Sequence, residues 1–479
     1  MCHDFCSDQV LSIFKRQPRE AESPAEVPPV QEPLKQEKIR QESLVITVKT
    51  IMREFMSKYF KLCLISILLL PVEAGALTLR EAVKHTLDTN PEVHAAKSEL
   101  EARTYEVKQA RSAYLPTVSI DAGIGEENRN SPATGNEDVD LTRQELGLSA
   151  SQLLFDGFAT SSEVKRQKAR VESAEFQLLS TAEDLALRTS KVYLDVLRYS
   201  ELLDLARAAL WEHQNIHDQM KLRYETGVGS KADFDQIESR LALANANMIV
   251  AQNNYADTQS NFHRLTGMHP TLESLSRPQL SSKLPANREL GIEKALTEHP
   301  VLRSASADLQ SARQQYKAAK SGYFPRISLE ADRRWDSDIG GIEGDDDDTI
   351  IALRLRYDLF KGGANKARRK QTAFLAEEAK DIRNNARRQI IESLNLSWNA
   401  FDAVTAQMAF LERHVNSATA TKAAYRKQFN IGKRTLLDLL NTENEVTDSR
   451  RALINAQYDQ LYSQYRILNS MGMLVESIE

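Results

Sequence analysis

Cysteine is almost missing from this chain: its 479 residues hold three, Cys2, Cys6 and Cys63. Disulfides and thiolate metal sites are therefore excluded from everything downstream of residue 63. Aromatics are sparse at 7%, and 18 glycines and 14 prolines are few for this length. That balance favours long, solvated helices over an ordinary globular enzyme. An excess of positive charge is also lacking. The formal net charge is −5, so no basic field points to nucleic acid. No apolar run reaches the roughly 20 residues that a membrane-spanning helix needs.

What is present begins with a short export signal. From Met56 the chain reads MSKYFKLCLISILLLPVEAGALTL. Lys58 and Lys61 give a positive start, Leu62 to Val72 is mostly apolar, and Ala74-Gly75-Ala76 has the small-x-small pattern that signal peptidase accepts. Residues 56–76 are thus expected to be a signal peptide, cleaved after Ala76. Residues 1–55 are rich in Glu, Gln, Lys and Pro, a composition that buries too little surface to fold alone. They read as a disordered leader or as sequence upstream of a true start at Met56 or Met52. Cys63 is a poor lipid-anchor candidate, because Lys61 precedes it where small apolar residues are wanted.

The remainder is duplicated. Asn90-Pro91 recurs as His299-Pro300, and Tyr114-Leu115-Pro116 as Tyr323-Phe324-Pro325, both at an offset of 209. Leu154-Phe155-Asp156-Gly157 recurs as Leu359-Phe360-Lys361-Gly362, Gly227 as Gly432, Asp233 as Asp438 and Gly267-Met268 as Gly472-Met473, all at 205. Offsets held this steadily mark two structural repeats, 77–287 and 288–479, joined by a stretch with Pro270, Pro278 and Pro285. Each repeat is expected to run in one order. A helix of about 35 residues ends at Pro116 or Pro325, where proline disfavours helix in the residue before it. Two strands around a polar loop follow, then a very long helix over 158–225 or 363–428. A glycine turn and a second long helix close the repeat.

The strands show period-two alternation. Ile351, Leu353, Leu355, Tyr357 and Leu359 alternate with Ala352, Arg354, Arg356 and Asp358, as Leu146, Leu148 and Ala150 do with Gly147, Ser149 and Ser151. One apolar and one polar face over about ten residues suits a membrane barrel. Four strands cannot close one, since small barrels need about eight, and open edges are not tolerated in lipid. Subunits must then share the barrel: two chains would give eight strands and three would give twelve. Along the long helices Leu178, Leu185, Val192, Tyr199 and Ala206 follow a seven-residue step, as do Ala182, Thr189, Val196, Leu203 and Leu210. Leu394, Phe401, Met408 and Val415 repeat it in the second half, beside Ile390, Val404 and Leu411. This is coiled-coil spacing.

Together, the signal peptide, the duplicated helix–hairpin–long helix–helix unit and the motifs Leu153-Leu154-Phe155-Asp156-Gly157 and Asp358-Leu359-Phe360-Lys361-Gly362-Gly363 resemble the TolC family of outer-membrane ducts. The resemblance covers 77–473. It implies a mainly α fold with a small β part. Three copies would share a twelve-stranded barrel in the outer membrane of a Gram-negative bacterium, above an α-helical barrel crossing the periplasm. It also implies a periplasmic adaptor and an inner-membrane transporter, of the ABC type, as partners. The turns after the long helices would be the periplasmic tips, with Gly227, Gly229 and Gly432 in the adaptor-docking turns. Asp233 and Asp438 match acidic gate positions and Arg434 a basic latch position. Phe429 stands where the family has a latch tyrosine, and Asn441 where it has a second ring aspartate. Glycine suits an αL helix cap and aspartate suits the first turn of a helix, so capping alone also accounts for these turns.

No catalytic or metal constellation emerges, and no cofactor is expected. His213 and His217 lie one turn apart but lack an HExxH glutamate and a third ligand, so they read as a solvated helix face. Gly340-Gly341 and Asp345 to Asp348 read as an acidic solvated loop without EF-hand spacing. A periplasmic coiled-coil adaptor is the competing class, but it would carry one helical hairpin between β-domains and no duplicated strands. Within the duct class, the lack of a plausible anchor cysteine favours type I secretion of a protein, with drug or small-molecule efflux as the alternative.

Overall fold

The structure, a computed structural model, describes residues 77–270, 275–278 and 284–478. The expected leader, signal peptide and all three cysteines lie outside the described residues, as do 271–274 and 279–283 of the proline-containing join.

The first repeat opens with two helices, α1 (Leu79–Thr89) and α2 (Pro91–Ser112), and the second with α5 (Arg288–Glu298) and α6 (Pro300–Ala318). The single opening helix of each repeat is thus corrected to a broken pair. Proline supplies the reason: it disfavours α geometry in the residue before it, and Asn90 and His299 are extended at ψ 131° and 123°. Both residues then cap the next helix. Asn90 Oδ1 accepts from Glu92 N–H at 2.9 Å, and His299 Nδ1 accepts from Val301 N–H at 3.2 Å. Burial pushes the His299 imidazole down to about 4, which keeps that ring nitrogen free to accept.

Next come β1 (Thr117–Asn130) and β2 (Asp138–Phe155), the long helix α3 (Ala159–Glu225) and α4 (Lys231–Thr266). In the second repeat β3 (Arg326–Ser337), β4 (Asp345–Arg356), α7 (Ala364–Asn430) and α8 (Leu436–Met471) follow the same order, and a short α9 (Leu474–Ile478) ends the chain. Helices α3 and α7 have 67 residues each, roughly 100 Å at about 1.5 Å per residue. Helices α4 and α8 have 36 each. Among the described residues no helix is long and apolar enough to cross a membrane.

The four strands form one antiparallel sheet in the order β1-β2-β3-β4. The hairpin of one repeat is therefore zipped to that of the other, with Ala150 opposite Ala331 and a bulge at Leu153/Phe155. Strand β4 stops at Arg356, short of the expected Tyr357 and Leu359. Asp345 to Asp348 are its first residues, opposite Ser337 to Arg334, and not loop as the composition suggested. The ladder with β3 runs unbroken through these four residues, and Arg333 pairs with Asp347 at 2.7 Å.

The principal core lies where the repeats meet. Leu79, Ala82 and Val83 of α1 pack with Tyr193, Leu194 and Val196 of α3, Phe262 of α4, Tyr458 and Tyr465 of α8, and Leu474 and Ile478 of α9. A fully buried side chain of this size contributes about 2 kcal/mol. The seven-residue steps land inside: Leu185, Thr189, Val196, Leu203 and Leu394 are buried, and Leu178, Val192, Tyr199, Ala206, Ala182 and Leu210 are half-buried. The Tyr193 hydroxyl lies 2.7 Å from the carbonyls of Leu77 and Ser276, tying the first repeat's start to the join.

Candidate channel face and periplasmic tip

Alternation along each strand gives the sheet two chemically distinct faces. On one stand Val118, Ile120, Ala122 and Ile124 of β1, Leu146, Leu148 and Ala150 of β2, Leu329 and Ala331 of β3, and Ile351, Leu353 and Leu355 of β4. The registers align these residues in rows across the strands. Most are exposed. An exposed apolar face this wide is what lipid covers. Towards the hairpin end the same face changes to Trp335, with the Arg333 guanidinium 5.1 Å from its ring centroid. The opposite face is polar. Ser119 and Ser149 hydroxyls meet at 2.7 Å, and Arg354 pairs with Glu330.

The junction from β2 into α3 is built by the Leu-Phe-Asp-Gly motif. Gly157 has φ +66°, and a Cβ there would sit 2.7 Å from Phe324 Cβ and 2.8 Å from the Ser321 carbonyl oxygen. Glycine is required on both counts. Phe155, Phe158 and Phe324 meet edge to face at 5.6–6.5 Å. Asp156 Oδ2 accepts from the Thr160 N–H at 2.7 Å and serves the start of α3.

At the far end of the long helices, Gly227 and Gly432 both take φ +75° after α3 and α7, the left-handed cap that glycine favours. Each turn is then locked by a side chain from the next helix. Ser230 Oγ accepts from Asp233 N–H at 3.1 Å and donates to Asp233 Oδ2 at 2.8 Å. Thr435 and Asp438 do the same at 3.2 and 2.9 Å, and Thr435 N–H adds a bond to Asp438 Oδ2, completing a capping box. The side-chain and backbone hydrogen bonds from Thr435, with the charge of Arg434, hold the Asp438 carboxyl below the usual carboxylate value.

Arg434 lies over the Tyr425 ring at 4.2 Å, donates its Nε–H to Gln428 Oε1 at 3.0 Å and stands 3.9 Å from Asp438. In the first repeat Gly229 holds the matching position, where a Cβ would press on Arg223 at 3.1 Å. Phe429 is buried with Ile216, Met220, Ile237, Leu436, Leu439 and Leu440, so it joins the two repeats' tips rather than presenting a ring to solvent. Asn441 is exposed on α8. The two tip turns are brought together through Phe429, while the Asp233 and Asp438 carboxylates each serve their own turn.

Sequence reading missed the charged cluster behind the tip. Glu443 of α8, only 3% exposed, takes Lys422 Nζ at 2.7 Å and Arg426 Nη2 at 3.0 Å, both from α7. Arg426 also pairs with Glu212 of α3. Burial works to raise the Glu212 carboxyl, but the Arg426 hydrogen bond and the charges of Lys422 and Arg426 outweigh it, and the group sits below its ordinary value. Lys422 and Arg426 are one helical turn apart, a signal visible in the sequence, but their acids come from two other helices. A second correction concerns His213, which is 6% exposed with Nδ1 2.8 Å from the Ala209 carbonyl oxygen. The expected solvated face includes His217 only partly, since its ring lies 5.5 Å from Phe234. Among the described residues no group of His, Cys, Asp and Glu is placed to hold a metal ion.

Known proteins match this arrangement. The family model described as outer membrane efflux protein matches residues 82–268 and 291–473, one span in each repeat. The chain is 25% identical over 409 residues to outer membrane protein TolC of Vibrio cholerae, covering 84% of this chain and 92% of that protein. It is 25% identical over 433 residues to alkaline protease secretion protein AprF of Pseudomonas aeruginosa, covering 86% and 88%. The crystal structure of outer membrane protein VceC from Vibrio cholerae superposes with a TM-score of 0.72 at 17% identity, over 82% of this chain and 96% of that one.

Proposed function

The chain belongs to the outer membrane efflux protein family, and from that premise we propose that it is the outer-membrane duct of a tripartite machine for type I protein secretion. Its place is the outer membrane of a Gram-negative bacterium, with a large helical part in the periplasm. It performs no chemistry. Three copies share a barrel, the apolar sheet face meets lipid, and the long helices line the route through the periplasm. A periplasmic adaptor meets the tip turns at Gly227, Gly229 and Gly432 and couples the duct to an ABC-type inner-membrane transporter.

The observation that carries the choice of cargo is the likeness to a protease secretion protein, which extends along almost the whole of both chains. The absence of any cysteine after residue 63 supports it, since no lipid anchor is available there. The family's description as an efflux protein favours a second reading, export of small molecules. At the tip, Asp438 and Asp233 from each copy supply negative charge at the constriction and Arg434 acts as a latch, while Phe429 offers no latch hydroxyl and Asn441 no second acidic ring. Converging acidic side chains would favour cations.

Deleting the gene and comparing secreted proteins with drug susceptibility tests the cargo. Loss of a secreted protein at unchanged susceptibility supports secretion. An unchanged secretome with hypersensitivity to drugs would transfer the role to efflux.

A further inference from the structure

The sheet and the helices below it meet at a change of charge. All four helix ends that abut the sheet are basic. Residues 364–376 of α7 hold Lys366, Arg368, Arg369 and Lys370 and no acid, and residues 311–320 at the end of α6 hold Arg313, Lys317 and Lys320 and no acid. Helix α3 opens with Lys165, Arg166, Lys168 and Arg170 against Glu163 alone, and α2 ends with Lys108 and Arg111. The hairpin ends of the strands are acidic instead, with Asp138, Asp140 and Asp345 to Asp348. From this we propose that Lys165, Lys317, Lys366 and Arg369 form a collar that holds the phosphates of anionic phospholipids in the leaflet facing the periplasm. The proposal rests on the reading that the apolar sheet face lies in lipid, and adds the headgroup and the residues that take it.

Folding alone does not account for these cations. On α2 and α6 the C-termini point at the sheet, where positive charge suits the helix dipole. Helices α3 and α7 present their N-termini there, where positive charge is unfavourable. Neither has an acid in its first turn, whereas α4 and α8 begin with Asp233 and Asp438. The acids nearby are already engaged: Glu163 by Arg166, Glu106 by Arg103 and Arg170, and Asp358 by Lys361. Lys165, Lys317, Lys366 and Arg369 are exposed, and among the described residues none has a carboxylate partner.

The four stand on one side of the helix layer. Glu172 of α3, Gln310 of α6 and Arg387 of α7 line a common groove. Lys165 and Lys317 lie about two turns from Glu172 and Gln310, and Arg369 about five turns from Arg387, so whole turns keep them on the side of that groove. Lys366 is about one turn beyond Arg369. That side continues the apolar face of the sheet. Phe155 pairs with Ile327, in phase with Leu329 and Ala331, and its ring meets at 5.6 Å that of Phe158, which caps α3 above Lys165. The Arg369 guanidinium lies 5.8 Å from the Tyr323 ring centroid. An aliphatic belt, then the exposed rings of Phe158, Tyr323 and Phe324, then cations, is the order of tails, interface and phosphates across one leaflet. Lys366 and Arg369 fall within about 10 Å of the start of α7 at about 1.5 Å per residue, and their long side chains can reach back to the headgroups.

Lipid retention tests the collar. The full oligomer is reconstituted in nanodiscs of equal parts phosphatidylethanolamine and phosphatidylglycerol, and the lipid kept after extraction is counted by native mass spectrometry. The unaltered protein should keep phosphatidylglycerol in preference, and added salt should weaken that preference. Lys165→Gln, Lys317→Gln, Lys366→Gln and Arg369→Gln combined should lower it at least about fivefold, the effect of about one basic side chain near an anionic surface. Lys221→Gln, Lys231→Gln, Lys427→Gln and Lys433→Gln combined remove the same charge near the tips and should leave it intact. Equal loss in both variants, or no preference in the unaltered protein, would overturn the collar with the protein still in the bilayer. A chain that does not enter the bilayer would remove the duct reading itself. Lys366→Gln alone should leave the oligomer's unfolding temperature unchanged or higher, since it relieves the helix dipole; a clear fall would assign Lys366 to folding instead.

Discussion

Glu183 is a carboxylate that the fold buries. It is buried between α3 and the chain's last turn, where its carboxyl oxygens accept from Leu474 and Val475 N–H at 2.9 and 3.0 Å. Burial raises it to about 7, against the lowering effect of those two bonds. A folded-state value above the unfolded one means the fold binds that proton more tightly. Its stabilising contribution is therefore complete below about pH 4.5 and is lost as the pH rises through about 7. The span corresponds to about 3 kcal/mol. Urea resistance in detergent should fall between pH 5 and 8, and Glu183→Gln should flatten that step; equal slopes in the two proteins would disprove the assignment. At the tip, capping and gating differ in outcome. If Asp438 and Asp233 only close their turns, Asn in either place leaves ion selectivity unchanged. On the proposed gate, Asp438→Asn lowers cation preference in planar bilayers. Asp233→Asn acts in the same direction but less, because Gly229 replaces the arginine partner there. Arg434→Ser instead raises open-state conductance with little change in selectivity.

Between elements, two joints hold the repeats together. At the β2–α3 junction Gly157→Ala meets both a left-handed backbone, costing about 1–2 kcal/mol, and the Phe324 and Ser321 atoms already at contact. Folding yield should drop sharply, and Gly157→Asn, which tolerates the backbone but not the space, should fare no better. Recovery with Asn would mean that the dihedral alone matters. Behind the tip, Arg426→Ala leaves Glu443 buried with Lys422 as its remaining cation. Removing one partner of a buried pair costs about 3–5 kcal/mol, and with Arg426 itself partly exposed the loss belongs at or below the lower end of that range. Hydrogen exchange should then quicken in the α3–α4 and α7–α8 turns and leave the core around Tyr193 protected. Uniform loss of protection would place the cluster in the global fold instead of the tip.

For the molecule as a whole, the apolar face is the controlling fact. It runs across four strands whose two edges are unpaired, and in lipid an open edge leaves backbone groups without partners. Native mass measurement in detergent should therefore give a trimer, placing twelve strands in one barrel. A stable monomer reconstituted in lipid would contradict it. The same assembly brings three copies of each tip together, which is why variants at Asp438 are expected to act on conductance more than on folding.

Much of this was legible in the chain itself. The long helices at 158–225 and 363–428 match α3 and α7 to within a residue or two, the seven-residue apolar step marking their middles and the glycine turns their ends. The strands were readable from alternation, and the repeat from glycines and prolines whose backbone roles do not change between copies. The family followed from that order of elements. What the sequence could not determine is which side chains meet across elements. Asp345 to Asp348 look like loop until Ser337 to Arg334 pair with them. Nothing local shows that Phe429 is buried between the tips of both repeats, or that α9 covers Glu183. Local pattern fixes a residue's periodicity and its backbone, but burial and ionisation depend on neighbours from other elements, as far along the chain as Leu474 is from Glu183, and only packing brings those together.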